Sequence, residues 1–294
     1  MGAQHPECPE RLDAIRDRLI ASGLDAYLQF HEAPLADDAQ LERAHTRSYI
    51  AQINRQRPEQ GIVHLDADTA MCPSTWSAAL RSAGAGCLAT DLVMRGDAAS
   101  AFCAVRPPGH HATRDRAMGF CFFNNVAVAA RHALEVWNLQ RVAIVDFDVH
   151  HGNGTEDVFS ADERVLMVSI FQHPFYPYSG TENPAANMCN VPVAAGTRGE
   201  EFRAIVTDVW LPRLRAFQPQ MIFISAGFDA HKDDPLAYLK LTEDDYRWVT
   251  AEIMTLANEF SNGRIVSALE GGYNLDALGR SVTEHIRVLL GTAT

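Results

Sequence analysis

Val142-Ala-Ile-Val-Asp146-Phe-Asp148-Val-His150-His151-Gly-Asn153-Gly154 opens as a short β-branched apolar run and ends in carboxylates, imidazoles and glycine. A run apolar at every position, without polar alternation, reads as a strand buried on both faces. Four more runs of this kind recur along the chain: Ala101–Val105, Val165–Ile170, Met221–Ser225 and Ile265–Leu269. Between them the apolar residues take helical spacing. Phe202, Ile205, Val209 and Trp210 share one face, as do Tyr246, Val249, Ile253 and Leu256, and as do Leu278, Val282, Ile286 and Leu289. Thr242-x-x-Asp245 caps the second of these. An earlier helix is expected over Pro9–Ile20, with Leu12, Ile15 and Leu19 inward. Strands buried on both sides and joined by helical crossovers predict an α/β fold, a mostly parallel sheet with helices on both faces. No repeat, low-complexity tract or flexible linker interrupts the pattern, so residues 1–294 read as one domain.

Open parallel sheets bind ligands beyond the carboxyl ends of their strands. Past Val105 comes Arg106-Pro-Pro-Gly-His110-His111, and past Val145 the stretch quoted above. Past Ser225 comes Ala-Gly-Phe-Asp229, and past Leu269 comes Glu270-Gly-Gly-Tyr273. Four strand ends thus deliver carboxylate, imidazole or phenol beside glycine.

Asp148-x-His150 on an extended segment would aim a carboxylate and an imidazole at one point. Asp229 is the candidate third ligand, since a catalytic zinc takes three protein ligands and keeps one position open. So oxygen-rich a set also suits ferrous iron or cobalt. His110 and His111 follow the rigid Pro-Pro-Gly, and imidazole serves as base and as acid for amide hydrolysis. Asp146 could orient one of them from behind. Tyr273, after two glycines, could offer its hydroxyl to a developing oxyanion. His231 reads as an ordinary loop histidine.

Composition narrows the rest. Net charge is −12, from 25 Lys and Arg against 37 Asp and Glu, which gives no electrostatic reason to bind a phosphate backbone directly. An acidic surface instead favours cationic partners such as polyamines or Lys-rich tails. The six cysteines, Cys8, Cys72, Cys87, Cys103, Cys121 and Cys189, contain no C-x-x-C pair and read as reduced thiols. No membrane-spanning apolar run and no signal-like h-region are present, and a cytoplasmic location is expected.

At this point the residues resemble the histone deacetylase family, including acetylpolyamine amidohydrolases and related bacterial enzymes. The matching pieces are His5-Pro-Glu-x-Pro-Glu-Arg11-Leu, Arg106-Pro-Pro-Gly-His-His-Ala112, Gly119-Phe-Cys-Phe-Phe-Asn-Asn125, Asp146-Phe-Asp-Val-His-His-Gly-Asn-Gly154, Ser225-Ala-Gly-Phe-Asp229 and Glu270-Gly-Gly-Tyr273. They occur in the family's order over nearly the whole chain. The resemblance implies the three-layer arginase–deacetylase fold and one Zn2+ held by Asp148, His150 and Asp229. It implies His111 as general base and acid, His110 as its electrostatic partner, and Tyr273 as oxyanion donor. Gly119, Phe120, Tyr176 and Gly271 would line the substrate tunnel. A structural K+ is implied at Asp146, Asp148, His150, Ser169 and Ile170. The substrate would be an acetylated lysine or a small acetylated amine, and a homo-oligomer is compatible with the reading.

Two departures stand out. Asn153 occupies the place where one branch of the family pairs an aspartate with the catalytic histidine, and so resembles the class II-like branch. The strand that usually precedes His5-Pro-Glu is missing, so Met1 reads as an internal residue of a longer chain. Two other functions share parts of this pattern. A dinuclear manganese ureohydrolase on the same fold would need extra bridging carboxylates, but Gly152 and His231 stand two residues beyond His150 and Asp229. A non-catalytic acyl-lysine binder would not need the full catalytic set.

Overall fold

Residues 1–2 and 4–291 are described by a computed structural model. Val63–His64 (β1) and Ala70–Met71 (β2) form a small antiparallel pair. The main sheet comprises Ser100–Cys103 (β3), Val142–Asp146 (β4), Val165–Gln172 (β5), Met188–Val193 (β6), Met221–Ala226 (β7) and Ile265–Leu269 (β8). Its order is β3-β8-β7-β4-β5-β6, with every neighbouring pair parallel.

Side chains alternate along each strand, and here both faces are apolar. Val142 and Ile144 join Met167, Phe223 and Val266 in one core, while Ala143 and Val145 join Val168, Ile222 and Ile224 in another. Helices Thr75–Arg95 and Asn125–Glu135 cover the first core; Glu10–Ala21, Glu243–Phe260 and Leu275–Leu289 cover the second. The result is three layers, as the apolar runs predict. The strand register matters most for function. Asp146 pairs with Ser169 on one side and Ser225 on the other, and Ser169 pairs with Asn190. The apolar strands therefore give way to polar residues along one common edge.

Differences from the expected elements have local causes. β6 carries Pro192, which hides the strand in sequence but is tolerated because β6 is at the sheet edge. Thr75–Arg95 is buried at Ala79, Ser82, Ala83, Gly84, Ala85, Gly86 and Cys87, so no apolar stripe marks it. In Glu10–Ala21 the inward residues are Arg11, Ile15 and Leu19, with Leu12 only half-buried. The Phe202–Trp210 run is the end of the α-helix Gly199–Ile205 continued by a π-helical turn, Val206–Trp210, that leads into the α-helix Leu211–Phe217. That turn shifts the buried stripe to Phe202, Val206 and Trp210. The capping pattern at Thr242 holds, since Asp245 Oδ2 accepts from Thr242 N at 2.9 Å.

His45 and His285 are locked in the core as neutral rings. His45 Nδ1 is 2.9 Å from Thr113 O, and its Nε2 accepts from Asn124 N at 2.9 Å. The carbonyl can only accept and the amide can only donate, so a second proton has no place on this ring. Burial pushes His45 down to about 4. Burial likewise pushes His285, between the Thr250 and Ser267 hydroxyls, down to about 3. Unfolded histidine titrates near ~6.5, so on acidification the unfolded chain takes up these protons first. The contribution of these two rings is therefore constant above that pH and falls below it, by at most about 1.4 kcal/mol per pH unit for each ring. Urea midpoints should decline from pH 6.5 toward 4, and His45→Gln should show a shallower decline even from a lower start. Equal slopes for the two proteins would remove His45 from the acid response.

Candidate active site

Asp148 and His150 reach one point by a different route from an extended strand. β4 ends at Asp146, whose Oδ1 accepts from Asp148 N at 3.1 Å. Asp148 Oδ1 in turn accepts from His150 N at 2.9 Å. Each aspartate curls the chain over its own carboxylate, as Asx turns do, so Asp-x-Asp-x-His is wound at the strand's end rather than extended. Asp229, past β7, completes the group. One donor atom from each of Asp148, His150 and Asp229 lies within 4.8 Å of the others. His150 Nδ1 is 3.0 Å from Asp148 Oδ1 and 3.2 Å from Asp229 Oδ2.

The outer oxygens are tied to backbone: Gly271 N donates to Asp148 Oδ2 at 2.8 Å, and Val149 N to Asp229 Oδ1 at 2.9 Å. Asp229 Oδ2, fully buried, makes no hydrogen bond. A Cβ on Gly271 would overlap that oxygen and stand 2.6 Å from Asp148 Oδ2, so only glycine leaves the carboxylates this close to the backbone. Burial, reinforced by the charge of Asp148, pushes Asp229 up to about 7. Burial works the other way on His150, yet Asp148 and Asp229 outweigh it and lift the ring to about 10. The field at this spot draws in positive charge. Two carboxylates, one imidazole and an unpartnered oxygen suit a divalent cation.

His110 and His111 sit beside it, ring centroids 4.1 Å apart, in opposite electrostatic settings. His110 Nδ1 is 3.0 Å from Asp146 Oδ2. Burial disfavours its charge, but Asp148, Asp146 and Glu270 together raise it well above the ordinary range. His111 is lowered well below that range, first by burial and then by His110 and His150. Its Nδ1 is 2.8 Å from Asn153 Oδ1, while Asn153 Nδ2 turns toward His111 O and Met118 Sδ, each at 3.4 Å. With the amide so oriented, His111 donates from Nδ1 and keeps a bare Nε2.

Tyr273 is held by Asp234, which lies outside every motif, and by Arg11 and Glu7 of the His5-Pro-Glu…Arg11 stretch. Asp234 Oδ2 accepts from Tyr273 N at 2.7 Å and Asn274 N at 3.3 Å. Arg11 donates to Gly272 O at 2.8 Å and to Glu270 O, and its guanidinium lies 5.0 Å from the Tyr273 ring centroid. Glu7 accepts from Arg11 and, through both oxygens, from Arg106 at 2.6 and 2.7 Å. The early His5-Pro-Glu…Arg11 motif is therefore a brace under the Gly271-Gly272-Tyr273 turn. Glu270 Oε2 accepts from Gly109 N at 2.6 Å and His110 N at 3.1 Å, so the end of β8 also holds the turn after β3. Burial keeps the Tyr273 hydroxyl well above its ordinary range, and it stays a neutral donor.

A cavity of ≈ 200 Å³ opens onto these groups. Gly119, Phe120, Tyr176 and Gly271 line it with His110, His111, His150 and Tyr273. Pro108, from the Arg106-Pro-Pro-Gly stretch, also lines it, as do Asp68, Phe175 and Leu236, which lie in no motif. Phe175 stacks on His150 at 5.6 Å, and Tyr176 meets His111 edge-on at 5.2 Å. Ser169 and Ile170 are buried on β5, with Ser169 opposite Asp146. His231 lies in a loop but is buried, at 1% exposed, with Nδ1 accepting from Asp233 N and Nε2 3.4 Å from Glu243. Asp234 follows it in a run of charged residues that looks like solvated surface in sequence.

Comparison with known proteins agrees with this geometry. Residues 5–289 match the histone deacetylase domain. A histone deacetylase-like amidohydrolase of Pseudomonas aeruginosa is 38% identical over 92% of this chain and 73% of its own length. A probable deacetylase of Archaeoglobus fulgidus is 34% identical over 92% of this chain and 77% of its own. The crystal structure of the HDA15 HD domain superposes with a TM-score of 0.91 at 34% identity, covering 99% of this chain and 86% of that one. The chain belongs to the histone deacetylase family, and its three-layer sheet is that family's fold.

Proposed function

We propose that this protein is a zinc-dependent deacetylase that hydrolyses the acetyl amide of a lysine side chain or of a similar amine such as an acetylpolyamine. The observation that carries the reading is the meeting of Asp148, His150 and Asp229 beside an imidazole, His111, whose Nδ1 is engaged by Asn153 Oδ1 at 2.8 Å. Zinc held by those three would supply Lewis-acid polarisation of the amide carbonyl and lower the pKa of water. His111 Nε2 takes a proton from water as it adds to the carbonyl carbon, then returns it to the departing nitrogen as the C–N bond breaks. His110, charged through its contact with Asp146, stabilises negative charge building next to it. The Tyr273 hydroxyl donates to the oxyanion, and Asp234 and Arg11 hold its turn in place.

Asp146, Ser169 and Ile170, with Asp148 and His150, form the proposed seat of a structural potassium ion, supported by the pairing of Ser169 with Asp146. The rings of Phe120 and Tyr176 favour a narrow apolar chain, and Asp68 in the same lining favours an amine substrate. All six cysteines are unpaired, which supports a reducing, cytoplasmic setting, and no helix among the described residues is long and apolar enough to cross a membrane.

Three measurements test this reading. Chelation should abolish hydrolysis of a fluorogenic acetyl-lysine substrate and one equivalent of Zn2+ should restore it; activity that survives chelation would refute the metal's role. Tyr273→Phe should keep its metal content and lose about 10²-fold in kcat. In the wild type, the lowered pKa of His111 keeps the base neutral well into acid. Asn153→Asp places a carboxylate against Nδ1 and raises that pKa, so the acidic limb of kcat/KM should move to higher pH. A panel of acetyl-lysine peptide, acetylputrescine and acetylspermidine, ranked by kcat/KM, then identifies the preferred amine.

A further inference from the structure

Asn190 lies on the edge strand, in register with Ser169 and outside the cavity lining, and its amide is fully engaged. Its Oδ1 accepts from Ser169 Oγ at 3.3 Å. Its Nδ2 donates to Glu156 Oε2 at 3.1 Å and to Gly180 O at 3.0 Å. Glu156, on the helix Asn153–Phe159, also meets His151 Nε2 at 2.6 Å. His151 is 1% exposed, and Gly180 is pressed onto its ring: φ there is +94°, and a Cβ would stand 2.7 Å from His151 Cδ2. Only glycine accommodates both that angle and that approach.

The segment tied down at Gly180 is the one that walls the cavity. Its other end is fixed where His173 N donates to Val193 O at 2.8 Å. Between these two anchors run Phe175, which stacks on His150, and Tyr176, which meets His111. Tyr178 is 75% exposed, so between Tyr176 and Gly180 the segment is not held by burial of that ring, and the Gly180 anchor fixes this half.

We propose that Asn190, Glu156 and His151 are positioning residues that latch Gly180, fix the 173–180 segment and so set the width of the channel beside Tyr176, limiting the length of acyl chain accepted. The acyl-selectivity part rests on the deacetylase reading; the latch itself does not.

Two variants of the whole protein test it: Asn190→Leu removes both donors, and Gly180→Ala forces the loop off His151. Hydrogen–deuterium exchange should rise across residues 173–183 in both, with β4 and β7 unchanged. With acetyl-lysine and butyryl-lysine peptides, KM for the acetyl substrate should rise, and the butyryl-to-acetyl ratio of kcat/KM should rise about tenfold. A merely structural role would lower kcat and thermal stability and leave KM and that ratio unmoved. Unchanged exchange in the 173–183 segment overturns the latch. Raised exchange with an unchanged acyl ratio overturns its role in selectivity. A wild type without amidase activity strikes the functional reading instead, and the exchange measurement still decides the latch.

Discussion

Burying carboxylates close together is the constraint on which the site depends. Asp146, Asp148, Asp229 and Glu270 are all 1% exposed or less at one edge of the sheet. Charges taken out of water need partners, and the protein answers largely with backbone N–H groups from Asp148, Val149, His150, Gly109, His110 and Gly271. Those bonds belong to loops that follow three different strands, so satisfying the carboxylates also assembles the loops. What backbone does not satisfy is Asp229 Oδ2, next to His150 Nδ1. The same excess of negative charge that makes folding demanding there makes the spot receptive to a cation.

The two adjacent histidines show how one field serves two purposes. His110, in the field of Asp148, Asp146 and Glu270, is pushed toward its charged form; His111, buried beside His110 and His150, is pushed toward its neutral form. An ionised and a neutral imidazole side by side constitute the kind of split that acid–base chemistry requires. Burial and the neighbouring charges set it: carboxylates face His110, while the imidazoles of His110 and His150 flank His111. Around them, Glu7, Arg11, Arg106 and Asp234 never reach the cavity lining, yet they position the turn that carries Tyr273. Binding precision here is a property of the supporting shell as much as of the groups that line the cavity.

Much of this was legible in the residues themselves. The core strands announce themselves as uninterrupted apolar runs because both faces of the sheet are covered, and Ile265–Leu269 is found at the very limits expected. Asp148, His150, Asp229, His110, His111 and Tyr273 stand just past strand ends, and a parallel sheet brings those ends to one edge. Less legible were elements whose signal is cancelled by their surroundings. Pro192 masks β6, and the small residues of Thr75–Arg95 carry no periodicity because helix and sheet enclose them. Asp68, Phe175 and Leu236 enter the cavity from loops, where no period links sequence to direction.

The amino-acid sequence by itself determined the layer architecture, the sheet's apolar interior and the identity of the groups with chemistry to offer. These follow from local pattern and from residue type, which do not depend on knowing what lies opposite. Tertiary structure alone decided that Asp-x-Asp-x-His is wound by its own carboxylates, that Arg11 and Glu7 support Tyr273 from more than 260 positions away in the chain, and that His231 is core rather than surface. Each depends on contacts between distant segments, and the strand register, with Asp146 set between Ser169 and Ser225, is what makes those contacts meet.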